Sequence, residues 1–354
     1  MISFRVPGRI CFFGDHQDYL GLPVIAGTIN RFLNLEAKPI PGAYFEIELL
    51  DLKEKFQLPI AAPSSFADPT NYFESGLQHL WKKKVQFPQG YAIRIWSDIP
   101  INAGLSSSSA LVVAWLQFLT QVQNTLPIPS PQDLGHWAYQ VEVLAFDQPG
   151  GLMDQYTIAQ RGLLHIDTEK QRSHRLPIPD WHWIVAESGV EKKTLKVLEN
   201  ARNWQQKALE IVQRESPDFD LKRSTAKDYD RFLDRIPKAL HNHWYASIHN
   251  YDITQKAVAE LQSKPSATTI GRLLNAHQAI LDSKIQNTPK SLQKMLTAAG
   301  EAGALGGKII GSGGGGCLVA LVEKAAQGNV IAAFLKAGAK KAYAVSLINT
   351  PSDE

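Results

Sequence analysis

A run of four serines, Ser106–Ser109, lies directly before a predicted helix. It follows Gly104 and Leu105, and from Ser108 to Leu119 the apolar residues recur with the period of an α-helix. A helix N-terminus carries free backbone N–H groups and a partial positive charge, and glycine lets a ligand approach the backbone closely. One serine is enough to cap a helix, so four indicate a site for an anion, best suited to the phosphates of a nucleotide.

Acidic side chains follow turns at two other places in the chain. Asp154 comes after the glycine pair Gly150-Gly151, on a constrained loop where its carboxylate could accept a proton or pair with a cation. Near the N-terminus, a predicted buried strand ends in a glycine and a group of polar residues that could hydrogen-bond the hydroxyl groups of a polyol: Asp15, His16 and Asp18.

A second glycine cluster, Gly311–Gly316, matches the pattern G-x-G-x-x-G of dinucleotide-binding folds. That pattern requires a following helix, whereas residues 317–322 are typical of a strand. The cluster is therefore interpreted as a turn between two strands that presses closely against another loop. No G-x-x-x-x-G-K-[ST] sequence occurs, so a Walker A phosphate loop is excluded.

The elements that must hold these residues are a mixture of strands and helices. Strands are predicted at 2–6, 10–13, 44–50, 91–96, 182–187, 308–310, 317–322 and 341–348. Helical segments are predicted at 108–119, 131–146, 191–260, 268–304 and 323–337. Because no regular βαβ repeat is present, an α+β fold is favoured over a doubly wound α/β fold. The proline-containing stretch 175–181 predicts a domain boundary, with domains at 1–175 and 176–354.

Composition and net charge exclude some classes of protein. The chain has 354 residues, 44% hydrophobic and 20% charged, and a net charge of +3. This excludes a disordered chain and disfavours a nucleic-acid binder, which needs concentrated positive charge. Two cysteines, no apolar run of 18 residues and no signal-peptide pattern predict a cytoplasmic protein without a membrane partner.

Four motifs taken together resemble the GHMP kinases, the family of galactokinase, homoserine, mevalonate and phosphomevalonate kinases. In order, these are Pro7–Tyr19, the serine loop with the sequence GLSSSSA, the GGLMDQ segment and the late glycine cluster. Each motif alone is weak, but their order and approximate spacing are specific. The GDHQDY sequence at 14–19, together with Glu142 twelve residues before Asp154, resembles the galactokinase branch.

This resemblance implies a two-lobed α+β fold, with a mixed-sheet N-terminal lobe, a ferredoxin-like C-terminal lobe and the active site between them. It implies that ATP phosphorylates a sugar hydroxyl, the anomeric one of galactose or of a related monosaccharide. Asp154 would orient or deprotonate that hydroxyl, and Arg9 would neutralise the transferred phosphoryl group and keep Asp154 ionised. Ser108 and Glu142 would bind Mg²⁺.

The resemblance also implies the residues that contact each ligand. Those expected at the sugar are Arg9, Asp15, His16, Asp18, Gly151 and Asp154. Those expected at ATP are Gly104, Leu105, Ser106, Ser107, Ser108, Ser109, Ala110, Gly313 and Gly314. The partners are thus a small molecule and ATP, with no nucleic acid. The alternatives are a kinase of the same fold for a heptose, an N-acetylhexosamine, a uronic acid or mevalonate, and a sensor that binds sugar and ATP without turnover.

Overall fold

The structure is a computed structural model that describes residues 1–191 and 194–349, for which the side chains of 194–198 are not described. Contacts divide the chain into two units. The first comprises Met1–Arg9, Thr28–Ile101 and Ser106–Arg161, and the second comprises Ile10–Gly27, Asn102–Leu105 and the chain from Gly162 onward. Each unit therefore consists of three separate segments of the chain. The domain boundary predicted at 175–181 stays a prediction, and residues 350–354 of the predicted second domain lie outside the described residues.

Strands of the N-terminal half are β1 (Ile2–Phe13), β2 (Val24–Ile40), β3 (Tyr44–Leu49), β4 (Glu54–Pro59) and β5 (Gly90–Ser97). In the first unit, β4 pairs antiparallel with β3, β3 pairs parallel with β5, and β5 pairs antiparallel with residues 33–40 of β2. This mixture of parallel and antiparallel pairs makes the sheet a mixed one, as the family resemblance implies.

Helices of the first unit are α1 (Tyr72–Trp81), α2 (Ser107–Val122), α3 (Pro131–Glu142) and α4 (Met153–Gln160). Helix α3 begins where the sequence predicts, because Pro131 occupies its first position and the Ser130 hydroxyl accepts a hydrogen bond from the backbone N–H of Asp133. Aromatic rings fill the core beneath the sheet: Trp115 and Phe118 of α2 pack edge-to-face on Phe45 of β3. The core therefore fixes helix α2, whose N-terminus carries the serine run.

The second unit contains strands β6 (Leu163–Asp167), β7 (Arg172–Leu176), β8 (His182–Glu187), β9 (Ala304–Ile309), β10 (Cys317–Val322) and β11 (Lys341–Val345). Its helices are α5 (Thr194–Glu215), α6 (Ala226–Leu233), α7 (His241–Gln262), α8 (Ala267–Ile280), α9 (Lys290–Glu301) and α10 (Gln327–Lys336), and a π-helical turn, Leu281–Ile285, follows α8. Residues 24–27 of β2 pair with β6, and β6 pairs with β7.

Four strands of the second unit form an antiparallel sheet in the order β11-β8-β10-β9. Strand β10 is buried along its whole length, and its apolar side chains pack with those of α9 and α10 in one core. The predicted strand–glycine loop–strand arrangement around Gly311–Gly316 is confirmed, since β9 and β10 are antiparallel neighbours. The α+β class with a helix-and-sheet C-terminal lobe is likewise confirmed.

The sequence-based predictions lack four strands and two helices that the structure contains: β2, β4, β6, β7, α1 and α4. Residues 2–6 and 10–13, predicted as two strands, form the single strand β1, since Pro7 and Gly8 do not interrupt it. Among the described residues, none of the helices is both long enough and apolar enough to cross a bilayer.

Candidate active site

Arg9 and Asp154 form a bidentate ion pair in the first unit. Arg9 Nε donates to Asp154 Oδ1 at 2.8 Å, and Arg9 Nη2 donates to Oδ2 at 2.6 Å. The Arg9 side chain is 4% exposed and that of Asp154 is 27% exposed. Two parallel, charge-assisted hydrogen bonds fix the plane of the carboxylate. The structure thus brings together the two residues expected at the reacting centre, and Asp154 can still be reached from solvent.

Ser106 supplies a third hydrogen bond to the same carboxylate. Its hydroxyl donates to Asp154 Oδ2 at 2.6 Å. Asp154 itself lies in the first turn of α4, where the partial positive charge of the helix N-terminus also favours an anion. The arrangement can hold an ionised carboxylate next to a substrate hydroxyl, which is what proton transfer or hydroxyl orientation requires.

Glu142, at the end of α3, is buried. Gln155 Nε2 donates to its Oε2 at 2.6 Å. Burial raises the pKa of the Glu142 carboxyl, and hydrogen bonds from Gln155, Ser108 and Ser109 act in the opposite direction. The Ser108 hydroxyl and the Glu142 carboxylate therefore lie side by side. Two oxygen donors, one of them a buried anion, are the chemistry that Mg²⁺ prefers, so this pair fits the ion.

The serine loop turns sharply before α2. Gly104 has φ 91°, a conformation that favours glycine, and Ser106 has φ 62°. Leu105 is fully buried, as are Ser109 and Ala110, whereas Ser107 is half-buried and Ser108 is exposed. Ser107 and Ser108 are thus the hydroxyls of the run that a ligand can reach. Contact of this loop with ATP stays a prediction.

The glycine cluster Gly311–Gly316 forms a tight loop in the second unit. A Cβ at Gly313, whose φ is +72°, would lie 2.6–2.7 Å from atoms of Ile309 and Asn287. The backbone N–H of Gly314 donates to Asn287 O at 2.6 Å, and that of Gly316 donates to Val190 O at 3.0 Å. Close packing therefore requires glycine at position 313. The predicted contacts of Gly313 and Gly314 with ATP stay predictions, and the Gly314 N–H already has a protein partner.

Asp15 forms a buried ion pair that the sequence did not predict. Lys308 Nζ of β9 lies 2.7 Å from Asp15 Oδ2, and both side chains are 0% exposed. The lysine also donates to the carbonyl oxygens of Cys11 and Ile309. Burial alone would raise the pKa of the Asp15 carboxyl, but the charge and hydrogen bond of Lys308, together with His277 and His16, outweigh it, and the pKa lies below its usual value. Asp15 therefore has a protein counter-ion, and its contact with a sugar stays a prediction.

His277 of α8 lies close to this pair. Burial, together with the positive charge of Lys308, lowers the pKa of its imidazole to about 3, so the ring is neutral at ordinary pH. The Phe13 ring stacks on it with centroids 6.1 Å apart. Lys308 is thus the charged partner of Asp15 at neutral pH.

His16 connects the N-terminal motif with the glycine loop inside the second unit. Its Nε2 lies 2.9 Å from Ser312 O, and its Nδ1 lies 3.2 Å from Tyr19 Oη. Tyr19 Oη in turn donates to Gln205 Oε1 at 2.6 Å. His16 is buried, and both ring nitrogens have protein partners. Asp18 and Gly151, the other residues expected at the sugar, are half-buried.

Several residues of these clusters were missed by sequence reasoning. Lys308 and Asn287 each contact an expected site residue but lie in none of the predicted sites, and Gln155, which contacts Glu142, enters only as the last residue of the GGLMDQ motif. A signal existed for Lys308, because a lysine between Gly307 and the apolar pair Ile309-Ile310 interrupts an otherwise buried strand. A lysine at such a position needs a buried counter-charge. Asn287 carries no comparable signal.

Two family models match the chain. The model described as the GHMP kinases N terminal domain matches residues 71–162, and the model described as GHMP kinases C terminal matches residues 256–340. Together they cover half of the chain. The first match includes the serine run and Asp154, and the second includes Lys308 and the glycine cluster.

Individual proteins of known name match over nearly the whole length. A mevalonate kinase of Thermococcus gammatolerans is 26% identical over 346 residues, covering 94% of this chain and 92% of its own. A galactokinase of Pyrococcus furiosus is 26% identical over 335 residues, covering 91% and 89%. The crystal structure of Lactococcus lactis galactokinase complexed with galactose superposes with a TM-score of 0.83 at 22% identity, covering 98% of this chain and 93% of that one. At this identity the structural match establishes the fold.

Proposed function

Since the chain belongs to the GHMP family of small-molecule kinases, we propose that it transfers the γ-phosphoryl group of ATP to a sugar hydroxyl. The acceptor that we propose is the anomeric hydroxyl of galactose or of a related monosaccharide. The observation that carries this proposal is the Arg9–Asp154 pair with its bidentate geometry. A carboxylate held in this way, yet still partly exposed, suits a residue that receives or orients an acceptor hydroxyl.

In this proposal Asp154, Arg9 and the first turn of α2 have separate roles in the reaction. Asp154 orients the hydroxyl and takes its proton, while Arg9 fixes the plane of the carboxylate and offers positive charge to the transferred phosphoryl group. The first turn of α2 supplies backbone N–H groups for the ATP phosphates. Little covalent chemistry is required of the protein, because phosphoryl transfer depends mainly on positioning and on charge stabilisation.

Magnesium would be held by Ser108 and Glu142. When bound, the ion would neutralise charge on the β- and γ-phosphates. Burial raises the pKa of Glu142, and a divalent cation would reverse that shift by favouring the ionised carboxylate. The hydrogen bond from Gln155 fixes the orientation of the carboxylate.

The choice of a sugar rests on residues 14–19. The sequence GDHQDY resembles the galactokinase signature, and we propose that His16, Asp18 and Gly151 contact the sugar. Asp15 differs from the other expected residues in its counter-ion, since Lys308 pairs with it in a fully buried position; His16 is also buried, with protein partners on both ring nitrogens. We propose that Asp15 supports this segment and that any contact it makes with the sugar is secondary.

Mevalonate is the second candidate substrate. It is favoured by the mevalonate kinases of Thermococcus and Pyrococcus species, which match this chain at 24–26% identity over about nine-tenths of its length. A cytoplasmic location is also proposed, because Cys11 and Cys317 are buried and neither forms a disulfide bond within the part of the chain that the structure describes, as suits a reducing compartment.

A coupled ADP-release assay tests the proposal. The purified protein is incubated with ATP, Mg²⁺ and one acceptor at a time, from a panel of aldoses, N-acetylhexosamines, uronic acids, a heptose and mevalonate. We expect ADP release with galactose or another monosaccharide. Turnover with mevalonate alone would favour the second candidate, and binding of sugar and ATP without any ADP release would identify a sensor.

A further inference from the structure

Ser106 does not behave as an ordinary helix N-cap. A serine at that position normally has an extended backbone and accepts a hydrogen bond from an N–H of the first helical turn. Ser106 has φ 62° and ψ 48°, the left-handed conformation, and its side chain makes no capping hydrogen bond to α2. A residue with a Cβ adopts this conformation only at an energetic cost. In this conformation the Ser106 hydroxyl donates a hydrogen bond to Asp154 Oδ2 at 2.6 Å.

The hydrogen bonds on Asp154 are unevenly distributed between its two oxygens. Oδ2 accepts from Ser106 Oγ and from Arg9 Nη2, and Oδ1 accepts from Arg9 Nε. A carboxylate oxygen offers two lone-pair positions. Among the residues that the structure describes, these donors therefore fill both positions of Oδ2 and one position of Oδ1, which leaves the second position of Oδ1 for an incoming group.

We propose that Ser106 is a positioning residue that holds Asp154 so that Oδ1 receives the substrate hydroxyl. This inference rests on the proposed function and adds the identity of the accepting atom. As the acceptor oxygen forms its bond to the γ-phosphorus, its proton passes to Asp154 Oδ1. The bond between that phosphorus and the bridging oxygen breaks, and its electron pair leaves with ADP. Ser106 keeps its own proton throughout.

The competing role for Ser106 is the one implied by the family resemblance, a contact with the phosphates of ATP. The two roles affect different kinetic parameters. A hydroxyl that acts through Asp154 lowers kcat when it is removed, because the carboxylate loses its fixed orientation. A hydroxyl that binds ATP raises the KM for ATP when it is removed.

Ser106→Gly separates these roles cleanly. Glycine adopts the left-handed conformation without strain, so the backbone turn is kept while the hydroxymethyl side chain is lost. We expect kcat to fall roughly ten- to a hundredfold, the range for losing a hydrogen bond to a charged group, with the KM for ATP within threefold of wild type. Ser107→Ala is the matched control, because Ser107 lies in the same loop and its hydroxyl is not among the donors to Asp154. Any effect of Ser107→Ala is expected on the KM for ATP.

A double variant tests whether Ser106 acts through Asp154. In an Asp154→Asn background, Ser106→Gly is expected to cause less than a twofold further loss of single-turnover rate, because residues that act as one unit are not additive. Ser106→Ala is a second variant, which is needed if glycine makes the loop more mobile. Its melting temperature is compared with that of the wild type. If the wild-type enzyme is active and Ser106→Gly keeps its kcat or raises only the KM for ATP, the inference is wrong. A wild-type protein that phosphorylates nothing in the panel would instead overturn the proposed function.

Discussion

Replacing Lys308 with methionine should destabilise the protein strongly, and in a manner that depends on pH. Both side chains of the Asp15–Lys308 pair are 0% exposed, and Asp15 Oδ1 has no hydrogen-bond donor among the described residues. Methionine fills a similar volume but leaves Asp15 as a buried carboxylate without a counter-charge. Removing one partner of a buried pair costs about 3–5 kcal/mol, and we expect a loss of that size in the free energy of unfolding at pH 8.

The pH dependence follows from the direction of each pKa shift. In the wild type the pKa of Asp15 lies below its ordinary value of 3.8. The stability that this pair contributes is therefore present above pH 3.8 and is lost as the pH falls through the folded-state pKa. In Lys308→Met, burial without the lysine raises the pKa of Asp15 above the unfolded value. The folded variant then binds the additional proton, so its stability increases as the pH falls through that raised pKa.

Urea unfolding, followed by tryptophan fluorescence at pH 8 and pH 5, measures both effects. Lys336→Met is the matched control, since Lys336 is an exposed lysine at the end of α10, and its loss should change the unfolding free energy by less than about 0.5 kcal/mol. Asp15→Asn combined with Lys308→Met should recover part of the stability lost at pH 8, because the uncompensated charge is removed. The reasoning is refuted if Lys308→Met costs less than about 1 kcal/mol, or if its cost is the same at both pH values.

Three further predictions concern the proposed chemistry and the glycine loop. Asp154→Asn should lower turnover by at least about 10² while ATP affinity stays within a few-fold; turnover within tenfold of wild type would contradict the role of Asp154. Glu142→Ala should raise the Mg²⁺ concentration needed for half-maximal activity, because one carboxylate ligand is lost, and an unchanged Mg²⁺ titration would make Glu142 a structural residue. Gly313→Ala should lower the melting temperature, because its Cβ would lie 2.7 Å from Asn287 atoms at a φ of +72°. Gly328→Ala should leave the melting temperature unchanged, because the space around its Cβ is open. Equal melting temperatures for the two variants would show that the glycine loop can relax.

Local patterns predict a good part of the fold, and pairings between distant residues account for the rest. Helix α2 was predicted because its apolar residues recur within a single segment, and α3 because Pro131 marks its first turn. Strand β2 was missed, since Gly27 and several polar residues interrupt its pattern and its partners, 90–97 and 163–166, lie far away in the sequence.

In the site, too, local patterns predict some residues, and contacts between distant residues account for the others. The spacing of Glu142 and Asp154 could be compared with a known family, but the partner of Asp15 could not. Lys308 lies 293 positions further along the chain, and only the folded second unit brings its ammonium to that carboxylate. Likewise, the four serines indicated an anion site, whereas the direction of the Ser106 hydroxyl depends on a left-handed backbone that the sequence does not reveal.

The central claim is that Asp154 serves phosphoryl transfer from ATP to a sugar hydroxyl, and phosphorus NMR of the reaction products tests it most directly. Wild type and Asp154→Asn are each incubated with ATP, Mg²⁺ and the sugar that releases most ADP. The account predicts a new phosphate-ester resonance, coupled to the anomeric proton, that accumulates with ADP in the wild-type sample and is at least about a hundredfold slower to appear with Asp154→Asn. No sugar phosphate from the wild type, or the same ester formed at a similar rate by Asp154→Asn, would contradict it.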